Sequence, residues 1–299
     1  ATNITGTTTY KVQDSVTNGT AVITNMNVDV TKLSVLTDIG VLNVGYASGV
    51  AGNLNIDFTA QGAAATVDTI TANNATTLTI TGDAGTTEYD TITGNVVAAA
   101  TTGLTVASTT SDLTLGTVTT AALTSLTATS TTGDLEIGAV TAATMTSLTT
   151  TSTTGDLTLG AVGAAALQTI SITGGVGAVS VGAITGGAAL TTITIADGAG
   201  AGVMGVGAID ANSATASTLT DVTITNAGSA LTTIGAISAG TSLNNFTATA
   251  SAAGGSLSLG AVAATVGAAT TVDTVTYSYG VNTAAAVVGT FDVGSDGTI

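Results

Sequence analysis

The sequence of 299 residues contains no cysteine, histidine, proline or tryptophan, and only two of its residues are basic. Without cysteine and histidine, the chain cannot form a disulfide, a zinc site, a thiolate nucleophile or a histidine general base. Because proline removes a backbone donor, its absence favours a chain whose N–H groups are nearly all paired. Two basic against 18 acidic residues give a formal net charge of −16, which predicts no binding to nucleic acid.

The residues that are abundant are small, β-branched or apolar. Hydrophobic residues make up 44% of the chain but aromatic residues only 3%, and 39 residues are glycine. Threonine and valine favour strands, and the mean hydropathy is too high for a disordered chain. The uncharged stretch between Asp156 and Asp197 is interrupted by Gly, Thr and Ser and has no basic flanks, so we expect no membrane insertion. The composition therefore predicts a folded, all-β protein.

A short phrase of the form Leu-x-Leu-Gly-Ala-Val returns along the chain, at steps of 22 to 28 residues. A second phrase, apolar-x-x-apolar-Thr, accompanies each copy, as in Leu123 to Thr127. Two short strands per repeat with small residues at the corners predict a β-solenoid with coils of about 22 to 28 residues, in which Leu135, Ile137, Leu157 and Leu159 point inward. The glycines of the first phrase are Gly116, Gly138, Gly160, Gly182, Gly207, Gly235 and Gly260.

The regularity of these phrases varies along the chain and predicts three parts. Residues 1–50 are an irregular β region that forms a cap or a small domain, and they contain both lysines, Lys11 and Lys32. Residues 51–280 are the solenoid repeats, and residues 281–299 contain a C-terminal strand. We expect an exported protein, since the chain begins at Ala1 rather than Met, as a mature product does after removal of its signal.

The phrases and composition resemble the Thr/Ala/Gly-rich β-strand-repeat proteins of bacterial cell surfaces, which include surface-layer subunits and large adhesins. The resemblance covers roughly residues 50 to 280. It implies an extracellular protein at the cell surface that assembles with itself or adheres. Surface layers of this kind often use calcium, so the resemblance also implies calcium as a cofactor.

Acidic residues recur at one point of three successive repeats, at Asp112, Asp134 and Asp156, with Glu136 nearby. Stacked coils would bring these carboxylates close together, and calcium, which prefers oxygen ligands, would compensate their charge. The alternative is that they are turn aspartates that cap the corners. A second acidic cluster, Asp83, Glu88 and Asp90, is either a calcium site or a solvated loop.

Outward-facing threonines follow the second phrase and predict two columns of hydroxyl groups on one face. Such a face is typical of ice-binding β-solenoids, but threonine is also the commonest polar strand former. The alternative function is therefore that of an ice-binding or adhesive β-solenoid module, with ice binding through this face. The predicted columns contain Thr127, Thr129, Thr149, Thr151, Thr173, Thr223, Thr225, Thr247 and Thr249.

The sequence favours a structural role and predicts no enzymatic activity. Paired carboxylates could serve in glycoside hydrolysis, but such sites usually need aromatic platforms and Arg or His partners, and the chain has only three Phe and five Tyr and no Arg or His. We expect a non-enzymatic subunit of an extracellular surface layer or filament. Its partner would be itself, through a head-to-tail contact in which the strand around Phe291 and Val293 pairs with residues 1–50 of the next copy.

Overall fold

The computed structural model describes a series of strands and corners that covers most of the chain. The chain is all-β and folds as a β-solenoid of stacked parallel coils, which confirms the predicted fold class. Among the described residues the only helical element is a 3-10 turn at Gly187–Ala189. The described residues are 9–12, 19–58, 66–82, 90–92, 94–198, 202–211, 219–238, 243, 245–250, 256–263, 274–279, 287–288 and 291–292.

The chain divides into two compact units, Ala1–Ala143 and Thr144–Ile299. In both units each coil contributes one strand to a first sheet, and the rest of the coil contributes to a second sheet. The first-sheet strands of the N-terminal unit are β1 (Thr9–Val12), β3 (Lys32–Val35), β5 (Gly52–Asp57), β7 (Ala75–Thr81), β10 (Gly103–Ser108) and β13 (Ser125–Ser130). Its second-sheet strands are β2 (Thr20–Met26), β4 (Ile39–Tyr46), β6 (Thr66–Asn73), β8 (Asp90–Ile92), β9 (Val96–Val97), β11 (Leu113–Leu115), β12 (Val118–Thr119), β14 (Leu135–Ile137) and β15 (Val140–Thr141).

The C-terminal unit repeats the same plan, with three strands in each of its coils. Its first-sheet strands are β16 (Ser147–Ser152), β19 (Thr169–Gly174), β22 (Thr192–Asp197), β25 (Asp221–Asn226), β28 (Asn245–Ala250) and β31 (Thr274–Tyr279). Its second-sheet strands are β17 (Leu157–Leu159), β18 (Val162–Gly163), β20 (Val179–Val181), β21 (Ile184–Thr185), β23 (Met204–Val206), β24 (Ile209–Asp210), β26 (Leu231–Ile234), β27 (Ile237–Ser238), β29 (Ser256–Leu259), β30 (Val262–Ala263), β32 (Val287–Val288) and β33 (Phe291–Asp292).

Most coils contain three strands rather than the two that the sequence predicts. The extra strand has two residues, as in β12, and follows the corner glycine of the repeated phrase. The change from two to three strands per coil occurs beside β6. This strand of eight residues pairs with β8 through Val67 and with β9 through Ile70. The coils that precede this change have two strands each and join the same parallel sheets. The predicted domain boundaries at residues 50 and 280 stay predictions.

The interior consists of apolar residues stacked in register from coil to coil. Leu113 pairs with Leu135 and Leu115 with Ile137, while Leu157 pairs with Val179. The side chains of Leu135, Ile137, Leu157 and Leu159 are each 1% exposed, which confirms their predicted inward direction. Because a single coil encloses too little apolar surface to be stable alone, this stacking is the main source of stability.

A serine closes the corner after the first-sheet strand in several coils. Ser108, Ser130 and Ser152 occupy the last, inward position of β10, β13 and β16. The hydroxyl of Ser130 donates a hydrogen bond of 2.8 Å to the carbonyl oxygen of Gly133, three residues further on. Ser108 and Ser152 make the same bond to the carbonyls of Ser111 and Gly155. The sharp corner therefore has its polar groups satisfied inside the solenoid.

Candidate functional site

The outward positions of the first sheet form columns of hydroxyl groups in the C-terminal unit. Parallel pairing aligns Thr149, Ser171, Thr194, Thr223 and Thr247 in one column. The second column, two residues further along each strand, contains Thr151, Thr173, Ala196, Thr225 and Thr249. We call these two columns the threonine face. Alanine at position 196 is its one interruption among these positions.

The N-terminal unit has a shorter pair of columns on its own first sheet. Thr79, Thr105 and Thr127 align in one column, and Thr81, Ala107 and Thr129 in the other. Thr79, Thr81 and Thr105 were missed by the sequence reasoning, because the phrases before residue 104 are too irregular to reveal their register. The signal that could have found them is the Thr-x-Thr pattern itself, which occurs at Thr79 and Thr81.

The threonine face is a closely packed surface whose repeat distances are set by the sheet. Neighbouring side chains in a column lie about 4.8 Å apart, and the two columns are separated by two residues of strand, or about 6.6 Å. Thr149, Thr151 and Thr247 are half-buried by their neighbours, whereas Thr223 is exposed. Such a face presents hydroxyl and methyl groups at regular intervals and carries no charge. Its hydroxyl groups can donate and accept hydrogen bonds at these regular intervals.

The recurring aspartates receive backbone hydrogen bonds from the following coil. The carboxylate of Asp112 accepts a bond of 2.8 Å from the N–H of Asp134, and that of Asp156 accepts one of 2.7 Å from the N–H of Ala178. Each partner lies 22 residues further along the chain, one coil away. These two carboxylates therefore help to hold successive coils together, as the corner-capping alternative expects.

The described residues contain no group of three or more acidic side chains that could hold a metal ion. Glu136 is exposed on β14, where it pairs in register with Thr114. Asp90 is the first residue of β8 and pairs in register with Leu113. Asp83 and Glu88 lie outside the described residues. Calcium binding at Asp112, Asp134, Glu136 and Asp156, and at the cluster of Asp83, Glu88 and Asp90, stays a prediction.

The predicted assembly strand has a defined place in the second sheet. Phe291 begins β33, which pairs in parallel with β30 and aligns Phe291 with Val262. Val293 lies outside the described residues. The head-to-tail contact predicted for this strand stays a prediction.

Few of the described residues carry a charged side chain. Lys32 forms an ion pair with the carboxylate of Asp57, whose side chain is buried. Asp221 accepts hydrogen bonds from the amide of Asn245 and the hydroxyl of Thr220, at 2.7 Å each, and these bonds lower the pKa of its carboxyl. No helix that is long and apolar enough to cross a membrane occurs in the described part of the chain.

Comparison with known proteins adds no relative to this picture. A scan against protein-family models, a search of curated proteins and a search of solved structures each gave no match.

Proposed function

We propose that the chain is a non-enzymatic structural subunit of an extracellular surface layer or filament that assembles from copies of itself. The observation that carries this proposal is the sameness of the contact between successive coils. Each coil offers the next one parallel backbone pairing, an apolar ladder and a corner at which glycine lies on the preceding backbone. A surface built this way can be extended by a coil from another molecule without any new kind of contact.

The terminal strands support a head-to-tail direction for this assembly. Within the described residues, β1 pairs only with β3, and β33 pairs only with β30. Unpaired strand edges recruit further strands unless charge, proline or a covering element blocks them. A second copy of the chain supplies matching parallel strands, and the net charge of −16 would keep the sides of the assembly apart.

The test compares the size of the assembly formed by three forms of the protein. Light scattering and negative-stain microscopy should show filaments or sheets for the full-length chain and smaller particles after deletion of residues 286–299. The variant Phe291→Lys should act like the deletion, because it places a charge at the terminal strand. The control Thr158→Lys puts the same charge on an exposed position of β17 and should leave assembly intact. A deletion variant that assembles as far as the full-length chain would contradict the proposal.

Ice binding is the second candidate function, and the threonine face is the observation that favours it. Its hydroxyl columns have two regular repeat distances, and a surface of this kind can order water in a lattice that continues into ice. The uncharged, methyl-rich character of the columns suits this role, since charged groups would disrupt ordered water at the surface.

The measurement is the arrest of ice growth in a freezing-point hysteresis assay. The variant Thr223→Tyr, in the middle of the threonine face, should abolish the arrest because the ring prevents flat contact. The control Thr233→Tyr introduces the same ring at an exposed position of β26, on the second sheet, and should retain it. If the unaltered protein does not arrest ice growth, this candidate function is discarded.

A further inference from the structure

Among the described residues of the C-terminal unit, Asp197 is the one acidic residue whose side chain is buried. It is the last residue of β22 and is only 3% exposed. In register with it stand Gly174 at the end of β19 and Asn226 at the end of β25. At the same inward position Ser130 and Ser152 close the corners of their coils with neutral hydroxyl groups. An ionisable group therefore occupies a place that neutral groups fill elsewhere.

The carboxyl of Asp197 fits its place because Gly174 has no side chain. A Cβ atom at position 174 would lie 3.1 Å from Oδ1 of Asp197 and 2.8 Å from the Cε of Met204. The hydroxyl of Thr232, on β26, donates a hydrogen bond of 2.8 Å to Oδ2. Burial raises the pKa of the Asp197 carboxyl, and hydrogen bonds from Thr232 and the Gly198 N–H oppose this shift only in part.

No positive charge is available in this region to compensate an ionised Asp197. The chain has no lysine or arginine after Lys32, and the only charged residues from 157 to 272 are Asp197, Asp210 and Asp221. The elements around the carboxyl are β19, β23, β25 and β26, and of these only β25 contains a charged residue. That residue is Asp221, at the opposite end of the strand. The loops that join these strands contain no further charged residue apart from these three acids.

The other two acidic residues of this region, Asp221 and Asp210, have surroundings that differ from those of Asp197. The carboxylate of Asp221 is held in its charged form by Asn245 and Thr220, and Asp210 is exposed on β24. Asp221 can be ionised without removing a charge from water. Asp197 cannot, so its ionisation acts against the folded coil.

We propose that Asp197 makes its coil a pH-responsive element, which is closed when the carboxyl is protonated and loosened when it is ionised. A buried acid whose folded pKa is raised stabilises the fold fully at acidic pH, and this stabilisation is lost as the pH rises through the folded pKa. The loosening should appear first at the corner after Asp197 and at its contact with Thr232.

The test is hydrogen exchange of the full chain, followed by mass spectrometry from about pH 4, near the ordinary pKa of an aspartate, to about pH 8. Comparing variants at each pH cancels the intrinsic pH dependence of exchange. Peptides spanning residues 193–211 and 228–236 should exchange faster in the wild type than in Asp197→Asn. The ratio should grow with pH by up to about tenfold per unit of pKa difference.

Three further variants make the outcome decisive. Asp197→Ser copies the corner of Ser152 and should behave like Asp197→Asn, which covers the case that the asparagine variant does not fold. Asp210→Asn removes the same charge from an exposed site and should leave the wild-type ratio unchanged. Thr232→Val removes a donor to the charged form and so raises the folded pKa of Asp197, and its ratio should keep growing to a higher pH than that of the wild type. A ratio that stays constant with pH, or that Asp210→Asn changes equally, overturns the proposal.

Discussion

Two threonine hydroxyls inside the solenoid, those of Thr120 and Thr150, have no hydrogen-bond partner among the described residues. Thr150 is fully buried in β16, and the residue aligned with it in the next coil is Ile172. An unpaired buried hydroxyl costs free energy that an apolar group of the same shape would not. Both hydroxyls therefore reduce the stability of the coils that contain them.

We expect Thr150→Val to raise the free energy of unfolding by about 1 kcal/mol, because valine keeps the branched shape and removes the unpaired hydroxyl. Urea unfolding of the purified protein measures this change. The control Thr149→Val alters the neighbouring, half-buried residue on the outer face and should change stability by less than about 0.5 kcal/mol. An unchanged or lower stability of Thr150→Val would show that the hydroxyl has a partner in solution.

At the scale of a strand and its corner, glycine is required at the recurring position because the backbones of successive coils are in close contact there. A Cβ atom added at Gly207 would lie 2.7 Å from the backbone nitrogen of Ala183 in the preceding coil. The equivalent distances at Gly235 and Gly260 are 2.6 and 2.7 Å to the nitrogens of Ala208 and Ala236. Any side chain at these corners must push two coils apart, which explains why the glycine column was visible in the sequence.

The pair Gly205 and Gly207 offers a matched test of this contact. Gly207→Ala should destabilise the protein by about 1 to 3 kcal/mol, as overpacking does. Gly205→Ala, two residues earlier in β23, meets no atom closer than 4.0 Å, and should be neutral or stabilising by up to about 1 kcal/mol. Thermal unfolding measures the stability of both variants. Equal changes in stability would mean that the effect of Gly207→Ala comes from backbone entropy and not from contact with the preceding coil.

The sequence predicted those elements whose residues recur at a constant step. The coil length, the glycine column and the inward Leu157 could all be read from the repeat. The two-residue strand β12 could not, because two residues have no periodicity to detect. Asp197 was missed for a different reason, since its column changes from serine to glycine, aspartate and asparagine and so shows no repeat. The hydrogen bond from Asp134 to Asp112 required the register between coils, which the sequence alone does not give.

The whole molecule carries a net charge of −16 with only two basic residues, so its acidic side chains repel one another in the folded state. We expect sodium chloride to raise the temperature of thermal unfolding by a few degrees, because salt screens this repulsion. Calcium chloride at the same ionic strength should raise it further if the cluster of Asp83, Glu88 and Asp90 binds the ion.

The double variant Asp83→Asn and Glu88→Gln separates screening from binding. It should keep the response to sodium chloride and lose the additional effect of calcium. Asp112→Asn, which removes an acid that serves the contact between coils, should retain both responses. If the two salts act equally on the unaltered protein at matched ionic strength, the calcium prediction is wrong.

The constant step of 22 residues between Asp112, Asp134 and Asp156 has a consequence for the gene. Unequal recombination between neighbouring copies would add or remove one complete coil. Such an exchange keeps every strand in register, because the new segment brings its own serine, glycine and aspartate to the right corners. Length variation among alleles should therefore occur in whole coils within residues 104–174, because inserting or deleting a single residue within a strand would turn the inward leucines toward water.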